Sequence, residues 1–310
     1  MRTRYFLMLV RRSLGVGGSI LALASSAVLA TSAFAAEASG EAAHEGVPLK
    51  PQMLVDLGNG FGITNSMLVT WFVAAAVIIF AQIATRRIQP IPGGAQNFWE
   101  WLVEGLYNFL ENIIGRELVK KTFWFFATIF IFILFVNWFG LIPGVGTIGW
   151  GHFVDGNFRV DRPLLRGGNA DLNMTTAMAA VFFVLWLIWA LQAQGVSGFL
   201  KHLFAPKGDV GGVLKILMVV IFFMVGWLEI VSILFRPISL SFRLFGNIYA
   251  GESILEAMST MIPSLGWLLP IPFYFMELLV GVVQALVFML LTAVFTMLIA
   301  QHEEEPGHAH

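Results

Sequence analysis

The sequence predicts an all-α polytopic membrane protein with about five membrane-embedded helical segments and one amphipathic helix at an interface. Three observations lead there. Of the 310 residues, 58% are hydrophobic and only 12% charged, with 29 Phe, a balance too apolar for a soluble domain. The apolar residues gather in segments of about 20 residues or more, enough to cross about 30 Å of hydrocarbon as helices. The cations gather between those segments, mostly on one side. The same composition narrows the function. A net charge of -1 gives no general electrostatic grip on nucleic acid. With no cysteine there is no disulfide framework, thiolate nucleophile or zinc–thiolate site.

Residues 1–35 read as a signal peptide. Arg2, Arg4, Arg11 and Arg12 form a basic start, 14–30 is small and apolar, and Ala33-Phe34-Ala35 offers a cleavage site before Ala36. An uncleaved anchor is the alternative. Residues 36–62 form an extracytoplasmic arm. Its stretch 36–56, with Glu37, Glu41, Glu45 and many alanines, suits a flexible chain.

The membrane domain covers 63–301. Its first three spans are 64–84, 123–142 and 172–194, each free of charge at its centre. The fourth apolar stretch, 214–261, is interrupted by Glu229, Arg236, Arg243 and Glu252. It is too long for one upright crossing, so it is steeply tilted or bent into a pair of helices. The last, 270–300, carries only Glu277. Between the first two spans, Pro90-Ile91-Pro92-Gly93-Gly94 breaks the chain. Beyond it, Asn97, Glu100, Glu104, Asn108 and Glu111 recur on one helical face and Phe98, Leu102, Leu106, Phe109 and Ile113 on the other, as in an interfacial helix.

Loop charge sets the orientation. Arg86, Arg87, Arg116, Lys120, Lys121, Lys201, Lys207 and Lys215 share one side, eight cations against the four of Lys50, Arg159, Arg162 and Arg166. The first side is therefore cytoplasmic. The mature N-terminus lies outside, and the tail 302–310, with Glu303, Glu304 and Glu305, lies in the cytoplasm.

Arg236 and Arg243 are the two cations inside apolar segments. An arginine does not escape the cost of a membrane interior by losing its proton. Glu229, Ser232, Arg236, Ser239, Arg243 and Asn247 fall along one helical stripe. Glu229 and Arg236 either satisfy each other, or Arg236 snorkels to an interface, or they serve ion movement. Arg243 has no acid three or four residues away in either direction, so its partner comes from another helix or another chain. Glu277, alone in the last span with Gly281 and Gln284 on its face, is the intrachain candidate. It either pairs with Arg243 or relays protons. Glu252 is half a turn around the helix from Arg243 and faces a different aqueous pocket. Gly246 and Ala250 make a surface that another helix can approach closely.

The stretch Ser239-Leu240-Ser241-Phe242-Arg243-Leu244-Phe245-Gly246-Asn247-Ile248-Tyr249-Ala250-Gly251-Glu252 resembles the signature of subunit a of the rotary, F-type ATP synthases in its bacterial form. Asn137-Trp138-Phe139-Gly140-Leu141-Ile142-Pro143-Gly144, Ala170-Asp171-Leu172-Asn173-Met174-Thr175 and Gln284-Ala285-Leu286-Val287-Phe288 are similar to the same family. The resemblance spans about 64–300. It implies a stator subunit of the bacterial inner membrane that provides two proton half-channels and assembles with a ring of c subunits, the b subunits of the peripheral stalk and the rest of the complex. It implies that Arg243 is the essential arginine facing the ring. Asn247, Glu252, Glu277 and Gln284 fall at positions of proton access, and Glu229 and Ser232 on the cytoplasmic-side path. No catalytic site, cofactor or metal is expected in the chain itself. The competing reading is a self-contained ion-coupled transporter, against which the lack of an internal repeat counts. An intramembrane enzyme is a third, for which Gly-x-Ser-x-Gly and His-Glu-x-x-His are both missing.

Overall fold

In the computed structural model, residues 48, 50–56, 62–154, 157–204, 213–262 and 264–300 are described. The stretch read as a signal peptide and the acidic tail lie outside them. Helices dominate. α1 is Asn65–Thr85, α2 Ala95–Ile114, α3 Arg116–Gly140, α4 Leu172–Phe204, α5 Val213–Met261 and α6 Pro270–Ala300. All but α2 are long and apolar enough to cross a membrane. The expected all-α polytopic architecture holds.

Local chemistry explains the helix ends. Thr64 caps α1, its side chain accepting from the Met67 N–H. Gly115, at φ 79°, lets α2 stop and α3 start in a new direction. α4 is two helices run together across Gly195, whose φ of 66° breaks the ladder close to the expected end of the third span. α5 runs on without a break instead of dividing into two separate helices. It is one helix of 49 residues, with Pro237 inside it.

Two small hairpins add to the helices. β1 (Met53–Asp56) pairs antiparallel with β2 (Gly62–Thr64), and β3 (Gly149–Val154) with β4 (Asn157–Pro163). The stretch expected to be flexible up to residue 56 therefore ends in a strand. The Asn65 side chain ties the two hairpins together. Its Oδ1 accepts from the Gln52 N–H at 3.2 Å and its Nδ2 donates to the Pro163 carbonyl at 3.1 Å.

The packed centre is α3, the most enclosed of the spans, whereas α5 is the least. Phe125, Phe126, Ile133 and Val136 of α3 pack in one core with Phe182 and Trp186 of α4 and Phe288 and Met289 of α6. Polar side chains stitch the helices where hydrocarbon leaves no other partner. Asn137 Nδ2 donates to the Gly281 carbonyl on α6 at 3.2 Å. The Ser241 hydroxyl of α5 lies 2.8 Å from that of Thr176 and 3.1 Å from that of Thr175 on α4.

α2 forms as expected, but its inward side differs. Trp99, Val103, Leu106, Leu110 and Ile114 are buried, while Phe98 and Phe109 are exposed. The physical reason is that α2 lies in a corner between α1 and α3. That corner takes one stripe of the apolar surface and leaves the other outward, as an interfacial helix with an aromatic face does.

Candidate functional site

The seven residues singled out from the sequence fall on α5 and α6, and five of them gather near the end of the molecule that carries the hairpins. Glu252 comes first. It lines an open cavity of about 820 Å³ bounded by the 141–147 and 165–167 segments, the end of α5 and the start of α6. Glu256, one turn further along α5, and Tyr274 of α6 line the same cavity. Glu252 thus faces a separate pocket, as its half-turn offset from Arg243 predicts.

The sequence did not point to its partner. Arg166, counted there as one loop charge among several, is buried, and its Nε lies 3.6 Å from Glu252 Oε2. Arg166 Nη1 donates to the Lys50 carbonyl at 3.1 Å. The signal that could have found it is local. Arg166 sits five residues before Asp171, joined by Gly167 and Gly168, directly at the start of a span.

Glu277 lies next inward. It is 4% exposed, and its carboxyl rests against Gly251 of α5, so closely that a side chain there would occupy the same space. It does not pair with Arg243. Gly251 is two turns of α5 away from that arginine, about 12 Å along the axis. Glu277 Oε1 is buried without a hydrogen-bond partner in the structure. That is an expensive position for a permanent carboxylate and a suitable one for a group that takes up and releases a proton.

One turn on, Asn247 Nδ2 donates to Gln284 Oε1 at 2.7 Å, joining α5 to α6. Arg243 follows after another turn. It is exposed, and no carboxylate of the described residues forms an ion pair with it. Phe242 beside it is 56% exposed, Ala250 is exposed, and the space in front of Gly246 is open. This face of α5 has no partner helix within the described part of the chain.

Read along α5, the groups form a descending line: Glu256 and Glu252 at the cavity, Glu277 against Gly251, Asn247 with Gln284, then Arg243. Along α5 the positions are four, one, four and four residues apart, about 6 Å for each step of four. Glu277 carries the line around the helix, from the cavity side to the arginine side.

Glu229, Ser232 and Arg236 occupy the other end. Arg236 Nη2 lies 3.6 Å from Glu229 Oε1, and its guanidinium stacks over the Phe295 ring at 4.6 Å. The Glu229–Arg236 pair that the sequence suggested is thus present. Ser232 is exposed. The structure does not bring these three together with Arg243.

A second polar group supports the cavity floor. Asp171 accepts from the Ser66 hydroxyl at 2.6 Å and the Asn173 N–H at 2.9 Å, capping α4. Burial raises its carboxyl above the ordinary aspartate value, while the Ser66 and Asn173 bonds and Arg166 pull the other way. Asn169 Nδ2 donates to Asn137 Oδ1 at 2.6 Å, which links this loop to α3 and through it to α6.

Comparison with known proteins gives a consistent result. The ATP synthase A chain family matches residues 67–297. Proteins described as ATP synthase subunit a are similar over most of the chain. That of Gloeobacter violaceus is 33% identical, covering 74% of this chain and 80% of its own. That of Moorella thermoacetica is 31% identical, covering 75% and 89%. That of Solidesulfovibrio magneticus is 32% identical, covering 75% and 83%.

Proposed function

The chain belongs to the ATP synthase A chain family, as the stator subunit a of an F-type ATP synthase, and from that membership we propose how its residues carry protons. The cavity at the hairpin end is the inlet. A proton passes from Glu256 and Glu252 to Glu277, along the Asn247–Gln284 amide pair, and onto a carboxylate of a c-subunit ring that moves past α5. Asn247 and Gln284 hold the proton's way between the two helices. Glu277 is the group whose charge changes.

The observation that carries this reading is Arg243, exposed on an open face of α5 with no carboxylate partner among the described residues. A cation so placed attracts an ionised ring carboxylate and keeps the inlet from joining the outlet. A bare carboxylate is strongly disfavoured in hydrocarbon, so the ring group leaves the arginine's neighbourhood only once protonated. Glu229 and Ser232, at the far end of α5, belong to the outlet. Each charge crossing the membrane gains about 2.3 kcal/mol per 100 mV, so several crossings are needed for one ATP.

In this reading the chain has no enzymatic activity of its own. It works in the bacterial cytoplasmic membrane with the c-ring, the b subunits and the remainder of the complex, its mature N-terminus outside and its C-terminus in the cytoplasm. The experiment is Arg243→Ala in the assembled complex. Coupled ATP synthesis disappears while the complex still assembles. Synthesis at the parental rate refutes the assignment.

A further inference from the structure

We infer that Arg166 is the positioning residue of the inlet: anchored to the main chain of the N-terminal strap, it holds Glu252 at the cavity wall, and the two act as one unit. The inference rests on the cavity being the proton inlet.

Arg166 lies in a connecting loop, where a cation ordinarily extends its head to water. It is instead 6% exposed. Two contacts explain its position, the Lys50 carbonyl at 3.1 Å and Glu252 at 3.6 Å. Lys50 precedes β1, so the strap that leads into the first span fixes the guanidinium that reaches α5. Nε and Nη2 of Arg166 have no hydrogen-bond acceptor in the structure. Both donors are therefore available, and a closure of roughly 1 Å turns the ion pair into a forked hydrogen bond.

The charges around Glu252 explain why a cation is needed. Glu252 is largely removed from water, Arg166 is the cation beside it, and Glu277 on α6 and Glu256 on its own helix act on it with like charge. Tyr274 of α6 shares the cavity, and Asp171 lies within reach of the Arg166 charge. Without Arg166, Glu252 would stand between the buried Glu277 and the exposed Glu256 with no cation beside it, and the carboxyls would compete for protons. With it, Glu252 is held in place at the cavity wall, ready to exchange a proton with the cavity and pass it on to Glu277.

The test is ATP synthesis by the reconstituted complex, with the pH of the compartment facing the cavity varied in steps. Four variants are compared: Arg166→Lys, Arg166→Gln, Glu252→Gln and the double variant Arg166→Gln/Glu252→Gln. Arg166→Gln is expected to lower the rate on the order of tenfold or more. It also moves the pH midpoint upward by more than about half a unit, because Glu252 has lost its counter-charge. Arg166→Lys keeps the midpoint. In the Glu252→Gln background, Arg166→Gln moves the midpoint no further, since the group it acts through is gone. An unchanged midpoint in Arg166→Gln, or the same displacement in both backgrounds, overturns the proposal.

If Arg166→Gln fails to assemble, the double variant decides. Removing both members of a buried pair is tolerated better than stranding one of them, so assembly returns. A double variant that stays unassembled while Glu252→Gln assembles overturns the proposal as well. Failure of the inlet reading looks different: Glu252→Gln alone then leaves both rate and pH profile at the parental values.

Discussion

Gly251 shows how little space lies between α5 and the Glu277 carboxyl. A methyl group on its Cα would overlap the Glu277 carboxyl, so Gly251→Ala must push that side chain off its position. We expect proton-driven ATP synthesis to fall on the order of tenfold or more, with the complex still assembled, since small displacements of reacting groups are costly. Comparing synthesis rates with the amount of complex in the membrane checks this. Asp171 gives a prediction of the opposite kind. Its carboxyl is raised by burial, so the fold favours the neutral form. That contribution is present below the ordinary aspartate range and is lost as pH rises through the raised value. Asp171→Asn, which keeps the cap, should therefore melt no lower than the parent at neutral pH and with less dependence on pH. Asp171→Ala loses the cap and about 1 kcal/mol. Thermal melts of the solubilised complex across pH distinguish the two. Of the polar groups that line up on α5 and α6, Arg243, Asn247, Glu252, Glu277 and Gln284 were legible because a polar group in a greasy helix stands out. Arg166 was not, because a cation in a loop reads as topology until the fold shows it buried.

Among the elements, the spans were legible nearly to their ends, since an apolar segment must match the hydrocarbon and its breakers are glycine and proline. The inward side of α2 was not. Its apolar residues wrap around much of the helix, and the choice between Leu106 and Phe109 is made by α1 and α3, which lie far off in sequence. The break in α4 yields a test. Gly195 has φ 66° and nothing near its Cα, so Gly195→Ala meets backbone strain rather than a clash. It should cost about 1 kcal/mol or more and redirect the 196–204 segment. A lowered melting temperature with core residues unaffected is the expected result; an unchanged one contradicts the left-handed geometry.

For the whole molecule, one flank of α5 is bare. Phe235, Ile238 and Phe242 are all exposed there, and hydrocarbon alone would explain them were Arg243 not exposed next to Phe242. Because the chain has no cysteine, Phe242→Cys introduces a unique thiol. A lipophilic maleimide should label it readily in the free chain and poorly in the full complex, where a neighbour covers it. Ala179→Cys, in the α4 core at 1% exposure, should stay unlabelled in both. Equal labelling of Phe242→Cys in both states would mean that the open face is covered by lipid alone. That Arg243 finds no acid on its own helix was legible in the sequence, and among the described residues no other helix supplies one. The two hairpins and their tie through Asn65 were not legible, because they are built from main-chain bonds that side-chain patterning does not announce.

The length of α5 has a mechanical consequence. A straight helix as long as its 45-residue membrane segment measures about 67 Å, against about 30 Å of hydrocarbon, and stays within it at about 60° from the membrane normal. Along such a slope, a charge that falls by one unit of depth slides nearly two units sideways. Glu252 and Glu229 are therefore separated much more across the membrane plane than through it. A carrier that picks up a proton at one and releases it at the other has to travel laterally. The slope of a single helix turns a voltage acting along the normal into a push within the plane, which is the direction a rotor needs.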